Sequence, residues 1–251
     1  MKEKELLIIA GPCAVESLDQ INELAAGIKK LGIEYLRGGA FKPRTSPDSF
    51  QGLGEVGLDY LQEAKLKNKV KIVTEILSPE DIKRVAEVAD IIQIGARNMH
   101  NSDLLIKIAQ RAAHKTILLK RGMSATKEEL LGAVHYLVKH GHKGEIILCE
   151  RGIRTFTMNQ YDRNTLDVGL VSSLKNERCP YRIVVDPSHS AGKSELVEPF
   201  ALAGIAAGAD GLIIEIKRDG DTPLSDARQA ITLQQLKEII IKAKKIRKVI
   251  L

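Results

Sequence analysis

Eight short apolar runs recur along this chain, and a longer amphipathic segment follows each of them. The runs are LLIIAG (6–11), YLRGGA (35–40), KIVTEI (71–76), IIQIGA (91–96), TILLKR (116–121), EIILCE (145–150), RIVVDP (182–187) and GLIIEI (211–216). They are rich in β-branched residues, and the segments between them are long enough for crossover helices. The alternation therefore predicts parallel strands joined by helices.

Four of the intervening segments carry clear helix start and stop signals. Polar caps or acidic first turns begin them, and glycine or basic residues end them. They are LDQINELAAGIKKLG, PEDIKRVAEVAD, NSDLLIKIAQRAAH and TKEELLGAVHYLVKHG. Eight such units within 251 residues, without a linker, predict an α/β fold: one (β/α)8 TIM barrel spanning residues 1–251. An open doubly wound sheet is less consistent, because no G-x-G-x-x-G follows the first strand.

Composition narrows the class of protein. No stretch approaches 18 consecutive apolar residues, and the start lacks the features of a secretory signal. The three cysteines, at positions 13, 149 and 179, are an odd number at irregular spacing and argue against a disulfide framework. The net charge of +6 is spread along a chain with few aromatic residues, which argues against nucleic-acid binding. We expect a cytoplasmic enzyme that acts on anionic substrates.

Four potential metal ligands lie at or just beyond predicted strand ends: Cys13, His189, Glu215 and Asp226. In a closed barrel, strands one, seven and eight are neighbours, and active sites form at the carboxyl ends of the strands. A thiolate, an imidazole and two carboxylates suit one divalent ion, whether Mn, Fe, Co or Zn. Each residue alone also has a structural interpretation: a buried thiol, a hydrogen-bonded histidine, an ion pair of Glu215 with Lys217 or Lys120, or a helix cap.

Basic residues gather at the other predicted strand ends. They are Arg37, Lys42, Arg44, Arg97, Lys120, Arg121 and Arg151. Clustered cations are unfavourable unless they are paired or bind anions, so a phosphorylated or carboxylated ligand would complement them. Salt bridges to Glu16, Glu75 and Glu150 are the structural alternative.

Seven segments together resemble the 3-deoxy-D-arabino-heptulosonate 7-phosphate (DAHP) synthases, of the short type related to the 3-deoxy-D-manno-octulosonate 8-phosphate synthases. The segments are GPCAVES, LRGGAFKPRTSP, QIGARNM, LLKRGM, CERGIRTF, DPSHSAGKS and PLSDA. The resemblance implies a transferase, 3-deoxy-7-phosphoheptulonate synthase, which condenses phosphoenolpyruvate with erythrose 4-phosphate, releases phosphate and needs a divalent metal. That reaction is the first step of the shikimate pathway of aromatic amino acid biosynthesis.

The resemblance also implies roles for individual residues. By motif position, the metal ligands correspond to Cys13, His189, Glu215 and Asp226. Phosphoenolpyruvate would be bound by Arg97, Lys120 and Arg151, with Arg37 and Lys42 near its carboxylate, and the phosphate of erythrose 4-phosphate by Arg44 and Thr45. Lys42 is the first candidate for protonating the new alkoxide, with metal-bound water or His189 as rivals, and Glu75 is a weaker candidate for orienting the attacking water.

Two positions depart from the family pattern: Lys217 stands where many relatives carry histidine, and His100 where glutamine is expected. The octulosonate enzyme, which uses arabinose 5-phosphate, stays open as an alternative, although KPRT resembles the erythrose 4-phosphate signature. A non-catalytic sugar-phosphate sensor is the alternative from another class. We expect no separate regulatory domain and, as in relatives, a homotetramer or homodimer.

Overall fold

Eight parallel strands close into a barrel in the computed structural model, which describes residues 5–42, 46, 48–156 and 161–250. The strands are β1 (Leu7–Gly11), β2 (Tyr35–Arg37), β3 (Lys71–Ile76), β4 (Ile91–Ile94), β5 (Thr116–Lys120), β6 (Ile146–Glu150), β7 (Arg182–Val185) and β8 (Gly211–Glu215). Each strand pairs with the next along the chain, and β1 pairs with β8 to close the ring. The predicted fold class and all eight predicted strands are confirmed.

Helices surround the barrel within the described part of the chain. They are α1 (Leu18–Lys30), α2 (Glu55–Asn68), α3 (Ile82–Val88), α4 (Ser102–Arg111), α5 (Lys127–Lys139), α6 (Val168–Asn176), α7 (Pro187–Ala191), α8 (Ser194–Ala206) and α9 (Leu233–Ile250). The sequence signals act as expected: the Ser17 hydroxyl accepts from the Gln20 amide, and Thr126 and Glu129 form a capping box. Throughout the described residues, every helix is too short or too polar to cross a membrane.

Strand β2 is shorter than the sequence predicted. It ends at Arg37, because the two following glycines turn towards their neighbours. The Gly38 amide still donates to the Val73 carbonyl at 3.1 Å, but the Gly39 amide donates to the Cys13 carbonyl at 3.2 Å, beyond the end of β1. This turn brings the segment after β2 against the segment that carries Cys13.

Two apolar cores stabilise the barrel. The larger lies between the strands and the surrounding helices. The smaller fills the barrel interior, and we call it the apolar layer: Leu7, Ile9, Val73, Ile91, Leu118, Ile147, Cys149, Val184 and Ile213. Since side chains of a strand alternate between faces, the residue two positions further along also points inward.

At those later interior positions the residue type changes. Polar and charged side chains replace apolar ones, and we call this group the charged layer: Arg37, Glu75, Gln93, Lys120, Asp186 and Glu215. All of them except Glu75 are buried. The carboxyl end of the barrel is therefore the place where buried charge concentrates, as expected for the active end of this fold.

Candidate metal and anion site

Three of the four predicted metal ligands meet at the carboxyl end of the barrel. Cys13 follows β1, Glu215 ends β8, and Asp226 lies in the loop after β8; their donor atoms all lie within 4.8 Å of one another. The Cys13 Sγ to Asp226 Oδ2 distance is 3.1 Å. Sulfur and two carboxylate oxygens at such separations fit a single divalent transition metal.

His189 lies beside this cluster, on helix α7. Its Nε2 is 3.6 Å from Glu215 Oε1 and 3.7 Å from Asp226 Oδ2. Its Nδ1 lies 2.8 Å from Asp186 Oδ2, and its backbone amide donates to Asp186 Oδ1 at 2.9 Å. A proton on Nδ1 leaves the lone pair of Nε2 on the side of Glu215 and Asp226, the usual arrangement of a metal-binding histidine. The structure thus brings all four predicted ligands together.

The Cys13 thiol is held in its neutral form by its surroundings. Burial raises its pKa to about 12, and Glu215 and Asp226 add to the increase, while Lys42 and Arg37 oppose it. A bound divalent cation favours the thiolate strongly enough to deprotonate a coordinating cysteine. Metal binding at this site would therefore release a proton.

The two carboxylates are held in their charged form. Burial alone would raise the pKa of Glu215, but its neighbours His189 and Arg37 lower it below its ordinary value. Burial likewise opposes ionisation of Asp226, and His189 and Arg163 lower its pKa well below the usual range. Anionic oxygen ligands are therefore already available at neutral pH.

Three predicted anion-binding cations adjoin the cluster. Lys42 donates to Cys13 Sγ at 2.9 Å and to the Cys13 carbonyl at 3.1 Å. Arg37 forms a buried ion pair with Glu215 at 2.8 Å, and Lys120 forms one with Asp186 at 2.6 Å. Burial alone would lower the pKa of Lys42, but its neighbours Cys13, Glu75 and Glu215 raise it.

Arg151 is the cation best placed to bind an added anion. Its residue is only 5% exposed, and its guanidinium donates to the Gly152 carbonyl at 3.2 Å. It forms no ion pair with any described residue, and burial lowers its pKa. A buried arginine without an anionic partner is costly unless a ligand supplies the charge.

The other predicted site residues differ in their positions. Arg97 is exposed, on the 3-10 turn Ala96–Asn98 that follows β4. Glu75 accepts a hydrogen bond from Gln93 at 2.9 Å, and it is one of the neighbours that raise the pKa of Lys42. Arg44 and Thr45 lie outside the described residues.

The structure decides between several ion pairs and helix caps that the sequence left open. Glu215 pairs with Arg37, so the ion pairs suggested with Lys217 or Lys120 are wrong. Helix α9 begins at Leu233, so Asp226 does not cap it. Arg121, which the sequence placed among the anion-binding cations, instead forms ion pairs with Glu150 at 3.0 Å and Asp167 at 2.7 Å. Glu150 ends β6 and Asp167 precedes α6, so the charge of Arg121 is compensated within the protein.

The sequence interpretation overlooked several residues that contact the proposed ligands, including four beside His189, Glu215 and Asp226. These are Asp186, Arg163, Asn164 and Gln229. Asp186 had a detectable signal, since it continues the inward alternation of β7 from Val184. The other three lie in irregular loops, where no periodicity indicates which way a side chain points.

Comparison with known proteins places this geometry in a family. A model described as the DAHP synthetase I family matches residues 2–251. The chain belongs to this family. The predictions of a DAHP synthase-type enzyme and of its place in aromatic amino acid biosynthesis are confirmed at the level of the family.

Relatives and solved structures agree with this placement. A phospho-2-dehydro-3-deoxyheptonate aldolase of Thermotoga maritima is 48% identical over 239 residues, covering 95% of this chain and 69% of the relative. A 2-dehydro-3-deoxyphosphooctonate aldolase of Fusobacterium nucleatum is 32% identical, covering 99% and 92%. A crystal structure of DAHP synthase from Thermotoga maritima superposes with a TM-score of 0.90 at 47% identity, covering 98% of this chain and 71% of that one. A truncated form from the same organism gives a TM-score of 0.87 at 43% identity, covering 98% and 88%.

Proposed function

We propose that this chain condenses phosphoenolpyruvate with erythrose 4-phosphate to give DAHP and inorganic phosphate, with one divalent metal ion. The observation that carries the proposal is the contact between two kinds of site. The donor cluster of Cys13, Glu215 and Asp226 lies directly beside the buried cations Lys42 and Arg37. An aldehyde next to the metal and a phosphorylated carboxylate next to the cations would therefore meet.

Binding of phosphoenolpyruvate is assigned to the cations of the barrel mouth. Arg151 forms no ion pair with any residue that the structure describes, so we assign it the phosphate, with Lys120 and Arg97 as its partners. Arg37 and Lys42 would face the carboxylate. By the family motif, Arg44 and Thr45 would bind the phosphate of erythrose 4-phosphate. Several fixed cations are needed because two phosphates and a carboxylate enter one site.

The metal would be held by Cys13, His189, Glu215 and Asp226, and Mn, Fe, Co or Zn would suit these ligands. It would supply Lewis acidity towards the aldehyde oxygen. Lys42 lies 2.9 Å from the Cys13 sulfur, and we assign it the proton that the aldehyde oxygen takes up as C3 of phosphoenolpyruvate forms the new carbon–carbon bond. Glu75 would orient the water whose oxygen adds to C2, and phosphate then departs with the bridging oxygen. His189 is the alternative proton donor.

The test is phosphate release by the purified, metal-reconstituted protein. Phosphoenolpyruvate would be combined with erythrose 4-phosphate, with arabinose 5-phosphate, or with no aldehyde. Release with erythrose 4-phosphate alone supports the proposal. Phosphate release without an aldehyde would contradict the proposal. No release from any of the mixtures would also contradict it and would favour a sugar-phosphate sensor.

The second candidate is condensation with arabinose 5-phosphate, the reaction of 3-deoxy-D-manno-octulosonate 8-phosphate synthase. It is favoured by the 32% identity to the octulosonate aldolase of Fusobacterium nucleatum, which this chain covers almost completely. Release of phosphate with arabinose 5-phosphate alone would decide for it.

We also propose that residues 1–251 act as one catalytic domain, that the enzyme works in the cytoplasm, and that it assembles as a homotetramer or homodimer. Light scattering after size-exclusion chromatography would measure the assembly. A mass of one chain at assay concentration would contradict the last part of this proposal.

A further inference from the structure

The four proposed ligands differ in how they are supported. Glu215 ends β8 and is the register partner of Gly11, the last residue of β1, and Cys13 follows Gly11 by two residues. His189 and Asp226 lie outside the sheet. Asp226 also has a φ of +56°, which non-glycine residues rarely adopt. Contacts other than the strand ladder must therefore fix the second pair.

Arg163, in the loop between β6 and α6, contacts Asp226 directly. Its Nη1 donates to Asp226 Oδ1 at 2.9 Å, which leaves Oδ2 facing Cys13 Sγ at 3.1 Å. The same Nη1 donates to Gln229 Oε1 at 3.2 Å, and Gln229 Nε2 donates to Glu215 Oε2 at 2.6 Å. In each carboxylate, one oxygen is thus bound from outside while the other points into the cluster.

The same loop also holds the segment that carries His189. The Arg163 amide donates to the Ser190 and Ala191 carbonyls, both at 3.1 Å. Asn164 donates from its side chain to the His189 carbonyl at 3.0 Å and from its amide to the Ser190 carbonyl at 2.9 Å. Two adjacent residues therefore contact both ligands that the barrel strands do not support.

We propose that Arg163 and Asn164 form a clamp that sets the position of Asp226 and His189 relative to Glu215, and so determines the affinity for the metal. Both are positioning residues, and the inference rests on the proposed metal site. Residues that orient metal ligands typically change metal affinity about 10–100-fold when they are replaced. The guanidinium of Arg163 is the part of the clamp that can be removed most cleanly, since its side chain is 39% exposed.

The experiment measures Co²⁺ affinity by chelator competition without substrate, and the thiolate-to-cobalt absorption band reports that Cys13 is a ligand. For Arg163→Gln we expect the dissociation constant to rise about 10–100-fold, with the band regained at high Co²⁺. Arg182→Gln is the matched control. It removes another partly exposed arginine–carboxylate pair, with Glu145 at the amino end of β7, and should leave metal affinity unchanged.

Substrate kinetics separate the clamp from a role in anion binding. At saturating metal, Arg163→Gln should keep the KM for phosphoenolpyruvate of the wild type and recover most of kcat, and Arg163→Lys should show an intermediate metal affinity. An unchanged metal affinity in folded Arg163→Gln would overturn the inference, and so would a raised KM at unchanged metal affinity. Asn164→Ala gives an independent measurement, with weaker metal binding expected.

The outcome also distinguishes this inference from the proposed reaction. A wild-type protein that binds Co²⁺ through Cys13 but releases no phosphate would end the proposed reaction, and the clamp would still be judged by metal affinity. A wild-type protein that shows no thiolate band would overturn the clamp together with the metal site.

Discussion

On strands β3, β4, β5 and β8 the apolar layer and the charged layer lie two residues apart, yet they have opposite roles. Ile213 is fully buried among apolar side chains, whereas Glu215, one inward position further along β8, is fully buried beside Arg37 and Gln229. Burial of an apolar side chain stabilises the barrel. Burial of a charge opposes folding unless partners compensate it.

Ion pairs within the charged layer compensate its buried charges. Arg37 pairs with Glu215, and Lys120 pairs with Asp186, which also binds His189. The attraction within each pair offsets part of the cost of burying its two charges, and the pair fixes a cation beside a proposed metal ligand. One layer of the barrel interior therefore stabilises the fold, and the next layer positions the groups proposed to react.

The largest expected effect is loss of turnover from a single change at the barrel mouth. Lys42→Met should lower kcat about 10²–10⁴-fold, because it removes the proposed proton donor. Metal affinity and the denaturation midpoint should stay near those of the wild type. Steady-state kinetics and chelator competition provide the measurements. Lys71→Met, which removes an exposed lysine at the start of β3, is the control, and full activity of Lys42→Met would exclude Lys42 from the mechanism.

In the apolar layer we expect the opposite result. Ile213→Ala should lower the free energy of unfolding by about 2–5 kcal/mol, because it leaves a cavity in a packed interior. Both KM values should be retained. Denaturant titration gives the stability, and Ile241→Ala, at a half-exposed position of α9, should change it by less than about 0.5 kcal/mol. An equal loss in both variants would show that the layer does not stabilise the barrel as inferred.

Asp186→Asn should weaken both functions that meet in the charged layer. Its carboxylate accepts from the His189 amide and from Lys120, and it lies within hydrogen-bonding distance of His189 Nδ1. We expect about 10–100-fold weaker metal binding together with a higher KM for phosphoenolpyruvate. If metal affinity falls while KM is unchanged, Lys120 does not depend on Asp186 for its position.

The smallest expected effect is a pH dependence far from the site, at His142 between α5 and β6. Burial lowers its pKa below 6.5, the Glu145 backbone opposes this decrease, and the nearby His114 adds a smaller decrease. The unfolded chain therefore binds the proton more readily than the folded protein. The contribution of His142 to stability is fully present above about pH 6.5 and is lost as the pH falls through the lowered pKa.

This effect would be measured from denaturation midpoints between about pH 8 and about pH 5, a range that brackets the ordinary histidine pKa of ~6.5. His142→Leu should flatten the loss of stability at the acid end, whereas His100→Gln, at an exposed position, should not. Equal slopes in all three proteins would show that His142 does not contribute.

Much of the fold was predictable because its signals are local. Alternating strand and helix patterns located all eight strands, and connectivity then indicated a closed barrel. The early end of β2 was not predictable, because it depends on a hydrogen bond from Gly39 to Cys13, a residue of another strand's loop.

The site was predictable where it lies on or directly after strands. Cys13, Glu215 and Lys120 follow from the rule that the carboxyl ends of barrel strands meet. The same rule misled for Arg121, whose charge is compensated by Glu150 and Asp167. The position of a residue on a strand predicts which end of the barrel it lies at, but it does not predict its ion-pair partners.

Neighbouring residues along the chain were enough to predict the eight-unit repeat, the residue types at the strand ends and the motifs that show the family. The tertiary structure was needed to show which cations are paired internally, and that Arg163 and Asn164 contact Asp226 and the His189 segment. The reason is physical: these contacts join loops far apart in sequence, and their geometry exists only after the barrel has closed.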